Sequence, residues 1–270
     1  MGLDIQTLIE KFEQWANPAW QESWDNCGWQ IQPDILSEAP NVLVCLTPTL
    51  EVMKEAIALK TSGTPMNLIF AHHPLIFGGV SSLTMSDPIG QMAHLAYKEG
   101  IGLYSAHTNF DQVEDGTADM LAQLLNLQES EPIQPTQEDL GYGRVGQLPK
   151  PISLKALLTL IEEKLSPPKL LYSPNEDLDQ TIERVAVLGG SGASYIKAVT
   201  KTGAQVYLTS DCKFHQFQES RDRNLILVDA GHYATERPAC QKLVERLLEL
   251  GANSAILSDK DEDFRQFFTA

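Results

Sequence analysis

Apolar residues recur at Ile5, Leu8, Ile9 and Phe12, the spacing of one buried helix face, so residues 4–16 read as an amphipathic helix stopped by Asn17-Pro18. Short apolar runs then alternate with helical patterns. Strands are expected over 41–46, 67–71 and 102–106, and helices over 49–60, 88–98 and 117–125. The rhythm is βαβαβα if the segment after His73 also turns helical, as in a wound sheet of mostly parallel strands. Residues 128–138 are polar and acidic with two prolines, which reads as a lobe boundary. A second wound unit follows. It has a strand over 141–148, a helix over 154–165, a proline-rich connector over 166–179 and a strand over 184–188. The turn Gly189-Gly-Ser-Gly192 leads to a helix over 193–201 and a strand over 205–209, and a strand over 224–228 and a helix over 237–250 complete the pattern. The expected fold is α/β in two lobes, residues 1–128 with 225–270 and residues 129–224.

The chain has 270 residues, 43% of them hydrophobic and 21% charged, which suits a folded protein with a sizeable core. Its formal charge of −16 argues against a broad nucleic-acid face, which needs clustered Lys and Arg. Most of these acids read as solvated surface. The four cysteines, Cys27, Cys45, Cys212 and Cys240, form no CxxC pair, so neither a structural zinc site nor a disulfide framework is expected. No apolar run reaches membrane-spanning length and the N-terminus lacks signal-peptide character, so a cytoplasmic protein with reduced thiols is expected. All four tryptophans (Trp15, Trp20, Trp24, Trp29) fall in the first 30 residues, which reads as core or subunit interface.

The histidines carry the chemistry. His72-His73 follows one apolar strand, His107 another, and His232 a third, with Asp111 and Glu236 each four residues after a histidine. Adjacent histidines on a continuing strand would point to opposite faces, but Pro74 ends the strand there and lets both serve one site. Four-residue spacing sets His107 with Asp111, and His232 with Glu236, on one helix face. Each pair alone is a weak signal, and strand-end histidines can simply bond the backbone. Together they indicate a metal site at strand ends, with donors suited to Zn, Fe, Mn, Co or Ni. His94 lies mid-helix and reads as structural. Gly189-Gly-Ser-Gly192 could cradle phosphate, but it lacks the GxGxxG and GK[ST] patterns and reads better as a tight turn. Lys213, Arg144 and Arg237 lie near these motifs and could pair with phosphate oxygens, or equally be ordinary surface charges.

As a set, Trp24-Asp-Asn-Cys-Gly28, Ala71-His-His-Pro-Leu75, Ser105-Ala-His-Thr-Asn-Phe-Asp111, Gly141-Tyr-Gly-Arg-Val-Gly146, Gly189-Gly-Ser-Gly192 and Gly231-His-Tyr-Ala-Thr-Glu236 resemble the NIF-three-like family, whose members are often labelled GTP cyclohydrolase I type 2 homologues. The motifs run in order over nearly the whole chain. The resemblance implies two α/β lobes with a dinuclear metal site in the cleft between them, and assembly into a ring, typically a homohexamer. It implies His72, His73, Asp111, His232 and Glu236 as metal ligands, with Asp111 and Glu236 bridging, and His107 as a ligand or its supporting partner. The stretch 129–181 is too short for the domain that some relatives insert, so this is the compact form. Leu46-Thr47-Pro48-Thr49 stands where many relatives have Leu-Asp-x-Thr, and Thr209-Ser210-Asp211 where many have Thr-Gly-Asp or Thr-Gly-Glu.

The function so implied is metal-dependent hydrolysis of a small molecule, a nucleotide such as GTP or another phosphoester. Two divalent ions would activate water, and His107 or His215 would pass a proton to the leaving group. The alternatives are a metal chaperone, store or sensor without catalysis, and a regulatory interaction protein.

Overall fold

The computed structural model describes residues 3–137, 140–175 and 177–268; Glu138, the end of the polar stretch at 128–138, lies outside them. In chain order the first elements are α1 (Ile5–Trp15), β1 (Gly28–Ile31), β2 (Asn41–Cys45), α2 (Leu50–Thr61), β3 (Leu68–Ala71), α3 (Pro88–Glu99), β4 (Gly102–Ser105), α4 (Thr108–Gln112) and α5 (Thr117–Leu124). Then come β5 (Gln128–Glu131), β6 (Gln134–Gln137), β7 (Leu140–Tyr142), β8 (Arg144–Ser153), α6 (Leu154–Leu165), β9 (Leu171–Tyr172) and β10 (Thr181–Val187). The last are α7 (Ile196–Lys201), β11 (Val206–Thr209), α8 (Phe214–Asp222), β12 (Ile226–Asp229), α9 (His232–Leu250) and β13 (Ser254–Leu257). The fold is mixed α/β with several sheets. Contacts divide the chain into two compact units: Met1–Phe110 with Cys240–Glu262, and Asp111–Ala239 with Asp263–Ala270.

The first unit is built on a five-stranded sheet in the order β1-β4-β3-β2-β13. Strands β4, β3, β2 and β13 are parallel, and β1 closes one edge antiparallel to β4. Asn41–Cys45 and Leu68–Ala71 are buried at every position, as expected of parallel strands covered on both faces. On one face α1 sets Phe12 edge-on to Phe70 and Tyr104, with centroids 4.8 and 6.2 Å apart. On the other, α2 and α3 bring Val52, Met53, Met92 and Ala96 against Leu43, Ile69 and Leu103. Side chains fix where these helices begin: Asp4 accepts from Thr7 N, Thr49 from Val52 N, and Asp87 from Ile89 N and Gly90 N. Residues 74–87 form a connection without regular structure, exposed from Phe77 on, so the helix of this crossover starts only at Pro88.

The second unit carries a six-stranded sheet, β5-β8-β10-β11-β12-β9, and a separate β6-β7 pair. Only β10, β11 and β12 are mutually parallel; β8 and β9 flank them in the antiparallel sense. One apolar layer joins Leu154, Leu157 and Ile161 of α6 to Ile182, Val185, Val206 and Val228. Another joins Ile196 and Val199 of α7 to Ala186, Tyr207 and Leu227 on the opposite face. Arg144 is buried within this unit, where its guanidinium pairs with Asp119 and donates to the carbonyls of Gly141 and Gly143 at 2.8 Å. It therefore secures the β7–β8 corner, and the phosphate role considered for it is replaced by a structural one.

Among the described residues no helix is long and apolar enough to cross a membrane. The four cysteines are thiols that form no disulfide. None of the four tryptophans is fully buried. Trp15 and Trp29 pack against the aromatic layer at Phe12 and Tyr104, while Trp24 stays 56% exposed.

Candidate metal centre

In the first unit the carboxyl ends of three neighbouring parallel strands carry the chemistry. Past β2 stands Thr47, past β3 stand His72 and His73, and past β4 stands His107. The two adjacent histidines leave the sheet with their amides still bonded, His72 N to Cys45 O at 3.1 Å and His73 N to Leu46 O at 2.8 Å. Ligand nitrogens of His72, His73 and His107 lie within 4.8 Å of one another. A tetrahedral ion with bonds of about 2.0–2.1 Å holds its donors about 3.4 Å apart, so the three rings would draw in by up to roughly 1.4 Å to grip one ion.

Each ring is fixed through Nδ1. His72 Nδ1 is 2.8 Å from the carbonyl of Ala106, His73 Nδ1 is 2.8 Å from Thr47 Oγ1, and His107 Nδ1 is 2.8 Å from Asp25 Oδ1. A carbonyl and a carboxylate only accept, so His72 and His107 carry a proton on Nδ1, which leaves Nε2 as the nitrogen that can ligate a metal. That is the tautomer of a metal-ligating imidazole, whose other nitrogen is held by an outer acceptor. Burial pushes the Asp25 carboxyl up, but hydrogen bonds from His107 and Thr108 and the attraction of His107 outweigh it and hold the group well below the ordinary range. Burial raises the neighbouring Cys27 thiol to about 12, which leaves it a protonated donor to Asp25 at 3.2 Å.

The second unit repeats the plan at the ends of β10, β11 and β12. Asp211 follows β11, His232 opens α9 just past β12, and Glu236 stands one turn on. His232 Nδ1 is 2.6 Å from Asp211 Oδ2 and its Nε2 is 2.8 Å from Glu236 Oε2, so the expected same-face pairing of His232 and Glu236 is present. Burial disfavours the imidazolium, yet the charge of Glu236 and the bonds to both carboxylates raise its pKa to about 10. Asp211 is lowered by its bond to His232, against burial, and Arg265 Nη1 sits 3.3 Å from its other oxygen.

The glycine turn after β10 makes room for this pair. A Cβ on Gly190 would lie 2.0 Å from Glu236 Oε1, and its φ of +64° is left-handed. Its amide donates to Thr235 Oγ1 at 3.1 Å and its carbonyl accepts from Ser210 Oγ at 2.6 Å. The tight-turn reading of Gly189–Gly192 is therefore the one its contacts support. Asp229 orders the approach to His232 by accepting from Cys212 N at 2.8 Å and Gly231 N at 2.9 Å.

The remaining candidates are placed as follows. Asp111 lies in α4 and accepts from Thr117 Oγ1 at 2.6 Å. His215 lies in the first turn of α8, exposed, in a surface hollow it shares with Lys197, Gln218 and Arg223, and it belongs to neither histidine group. Asp25, Thr47 and Asp211 were not singled out as site residues by sequence reasoning. Asp25 and Asp211 stand in motifs that were, but nothing in a linear spacing ties Asp25 to His107, 82 residues away.

The strand-end histidines and carboxylates of this mixed α/β fold form groups that could hold a metal ion. A family model for Duf34/NIF3 (NGG1p interacting factor 3) matches residues 3–262, and the chain belongs to that family. A relative from Nostoc sp. named "GTP cyclohydrolase 1 type 2 homolog" is 65% identical, covering 98% of this chain and 99% of its own. The crystal structure of a Bacillus cereus protein related to NIF3 superposes with a TM-score of 0.90 at 23% identity, covering 98% of this chain and 99% of that one, which is a likeness of fold. A Staphylococcus aureus hypothetical protein matches with a TM-score of 0.88 at 26% identity over 99% of this chain and 100% of its own.

Proposed function

We propose that this protein is a dinuclear metal-dependent hydrolase acting on a nucleotide or related phosphoester. The observation that carries the reading is the repeated imidazole arrangement: in each unit a strand-end histidine is held through Nδ1 by a carboxylate, with Nε2 beside further donor groups. In this reading His72, His73, Asp111, His232 and Glu236 would hold two divalent ions. When bound, such a pair supplies water activated near neutral pH and positive charge for the negative charge that develops on the substrate.

The chain's own residues do the rest. Thr47 and Asp25 orient His73 and His107, and the grouping of His107 with His72 and His73 supports a donor role for it over a proton carrier. Asp211 orients His232, and Gly190 keeps space for Glu236. For His215 we propose proton transfer to the leaving group; a His215→Gln variant with full turnover would remove it from the reaction. Trp24 and Phe77, 56% and 65% exposed with centroids 5.8 Å apart, flank this cluster, and Trp24 meets His107 edge-on at 6.0 Å. Aromatic faces beside the donors support a substrate with a planar ring. The name of the Nostoc relative points to GTP. A cytoplasmic, ring-shaped homohexamer belongs to the same proposal, and the exposed apolar side chains Val80, Leu83 and Met85 support self-association.

Product analysis by mass spectrometry tests the activity. Metal-loaded protein and its Asp111→Ala variant are incubated with GTP, other nucleotides and simple phosphoesters. A product made by the wild type and lost in the variant is expected. Metal uptake with no product from any substrate would overturn the hydrolase and leave a metal store, chaperone or sensor.

A further inference from the structure

The three histidines of the first unit are backed by three different partners: a backbone carbonyl for His72, a neutral hydroxyl for His73 and a carboxylate for His107. The last is the unusual one, because Asp25 has no side-chain exposure at all. A buried carboxylate is retained only when donors saturate it. Asp25 has five. Oδ1 accepts from His107 Nδ1 and Asn26 N, both at 2.8 Å. Oδ2 accepts from Thr108 N at 3.1 Å, Thr108 Oγ1 at 2.5 Å and Cys27 Sγ at 3.2 Å.

These bonds separate into two jobs. The bonds from Thr108 fasten the loop before β1 to the start of α4, as does Glu22 N, which donates to Thr108 Oγ1 at 3.0 Å, and the bond from Cys27 stays within that loop. The bond to His107 fastens nothing in the backbone. It sets the tautomer and the direction of one ring, and that ring's ligand nitrogen lies with those of His72 and His73.

We infer that Asp25 is a positioning residue of the metal centre, holding His107 as an Nε2 donor directed at the cation that His72 and His73 bind. This rests on the metal-binding part of the function proposed above and is independent of catalysis. Five donors on about four lone-pair sites leave the carboxylate no second orientation, so the ring is set before the ion arrives. An ionised acceptor also makes the imidazole a stronger donor than a hydroxyl does, so His107 and His73 are unequal ligands.

The test uses the full chain stripped of metal and titrated with Zn(II) or Mn(II) alone against a competing chelator. Asp25→Asn keeps the shape but meets one of its donor pairs with an amide N–H. It is expected to weaken metal binding about 10- to 100-fold, the usual effect of losing such an outer partner. Thr108→Val removes a bond to the other oxygen and is expected to keep metal affinity within about twofold of wild type, whatever it does to the melting temperature. In a His107→Ala background, Asp25→Asn should have no further effect on affinity.

Wild-type affinity in Asp25→Asn, or an undiminished loss in the His107→Ala background, would overturn the inference and leave Asp25 a loop fastener. If Asp25→Asn does not fold, long-range proton–nitrogen NMR of the metal-free wild type decides. His107 protonated on Nδ1 supports the assignment, and His107 protonated on Nε2 sinks it. Absence of turnover with every substrate would overturn the hydrolase while leaving these results intact.

Discussion

His232 shows how far one residue's behaviour depends on what is bound beside it. Between Asp211 and Glu236 in the metal-free protein it is an imidazolium with a pKa of about 10, well above the roughly 6.5 of an unfolded chain. A group raised on folding stabilises fully below its unfolded value, and the contribution is lost as pH rises through the folded one. In chelator, stability to urea is therefore expected to fall between about pH 6.5 and 10. His232→Gln should flatten that part of the profile; an unchanged slope would mean that the pair with Glu236 does not form in solution. A cation must displace the same proton, so loading metal near neutral pH is expected to release protons, read directly in weakly buffered titrations.

At the scale of elements, both donor groups stand where parallel strands end, on loops held by side-chain bonds instead of by length. The turn after β10 is the clearest case. Gly190→Ala places a methyl where Glu236 Oε1 lies and forces an L-residue to φ +64°. The strain is expected to remove about 1–3 kcal/mol of stability, and displacing Glu236 should also weaken metal uptake. If the variant melts lower but takes up metal like the wild type, the turn serves the fold alone. The spacing of apolar positions identified most of these elements. It missed β1, α4 and β9, and β5 and β6, which form within the polar stretch read as a lobe boundary; it also missed α8, whose sequence is too polar to show a buried face, and β13, a four-residue strand with only one buried position. It also began the last helix at Arg237, where α9 starts at His232. The reason is local: the first turn of α9 carries donors in place of core residues.

For the whole molecule, metal is expected to act on stability as any ligand of the folded state does. At free metal about 100-fold above its dissociation constant the gain is about 2.7 kcal/mol, and chelation should lower the melting temperature by roughly 5–11 °C. Triple substitution of His72, His73 and His107 by Ala should remove the part of this shift that belongs to the first unit. A melting temperature indifferent to metal and chelator would argue against either group as a resident site. Sedimentation or mass photometry reports the proposed assembly, and a monomer at micromolar concentration would count against the ring.

The sequence by itself determined the α/β alternation, the strand-end placement of His72, His73, His107 and His232, and the pairing of His232 with Glu236. These rest on short-range periodicity, which a linear chain displays openly. The tertiary structure alone decided which partner holds each ring. Asp25 reaches His107 across 82 residues, Thr47 reaches His73 across 26 and Asp211 reaches His232 across 21. It also decided that Arg144 is buried in pairing with Asp119 and that Trp24 remains in solvent. Such partners are chosen by which strands lie side by side, and strand order is a property of the folded sheet that no local pattern encodes.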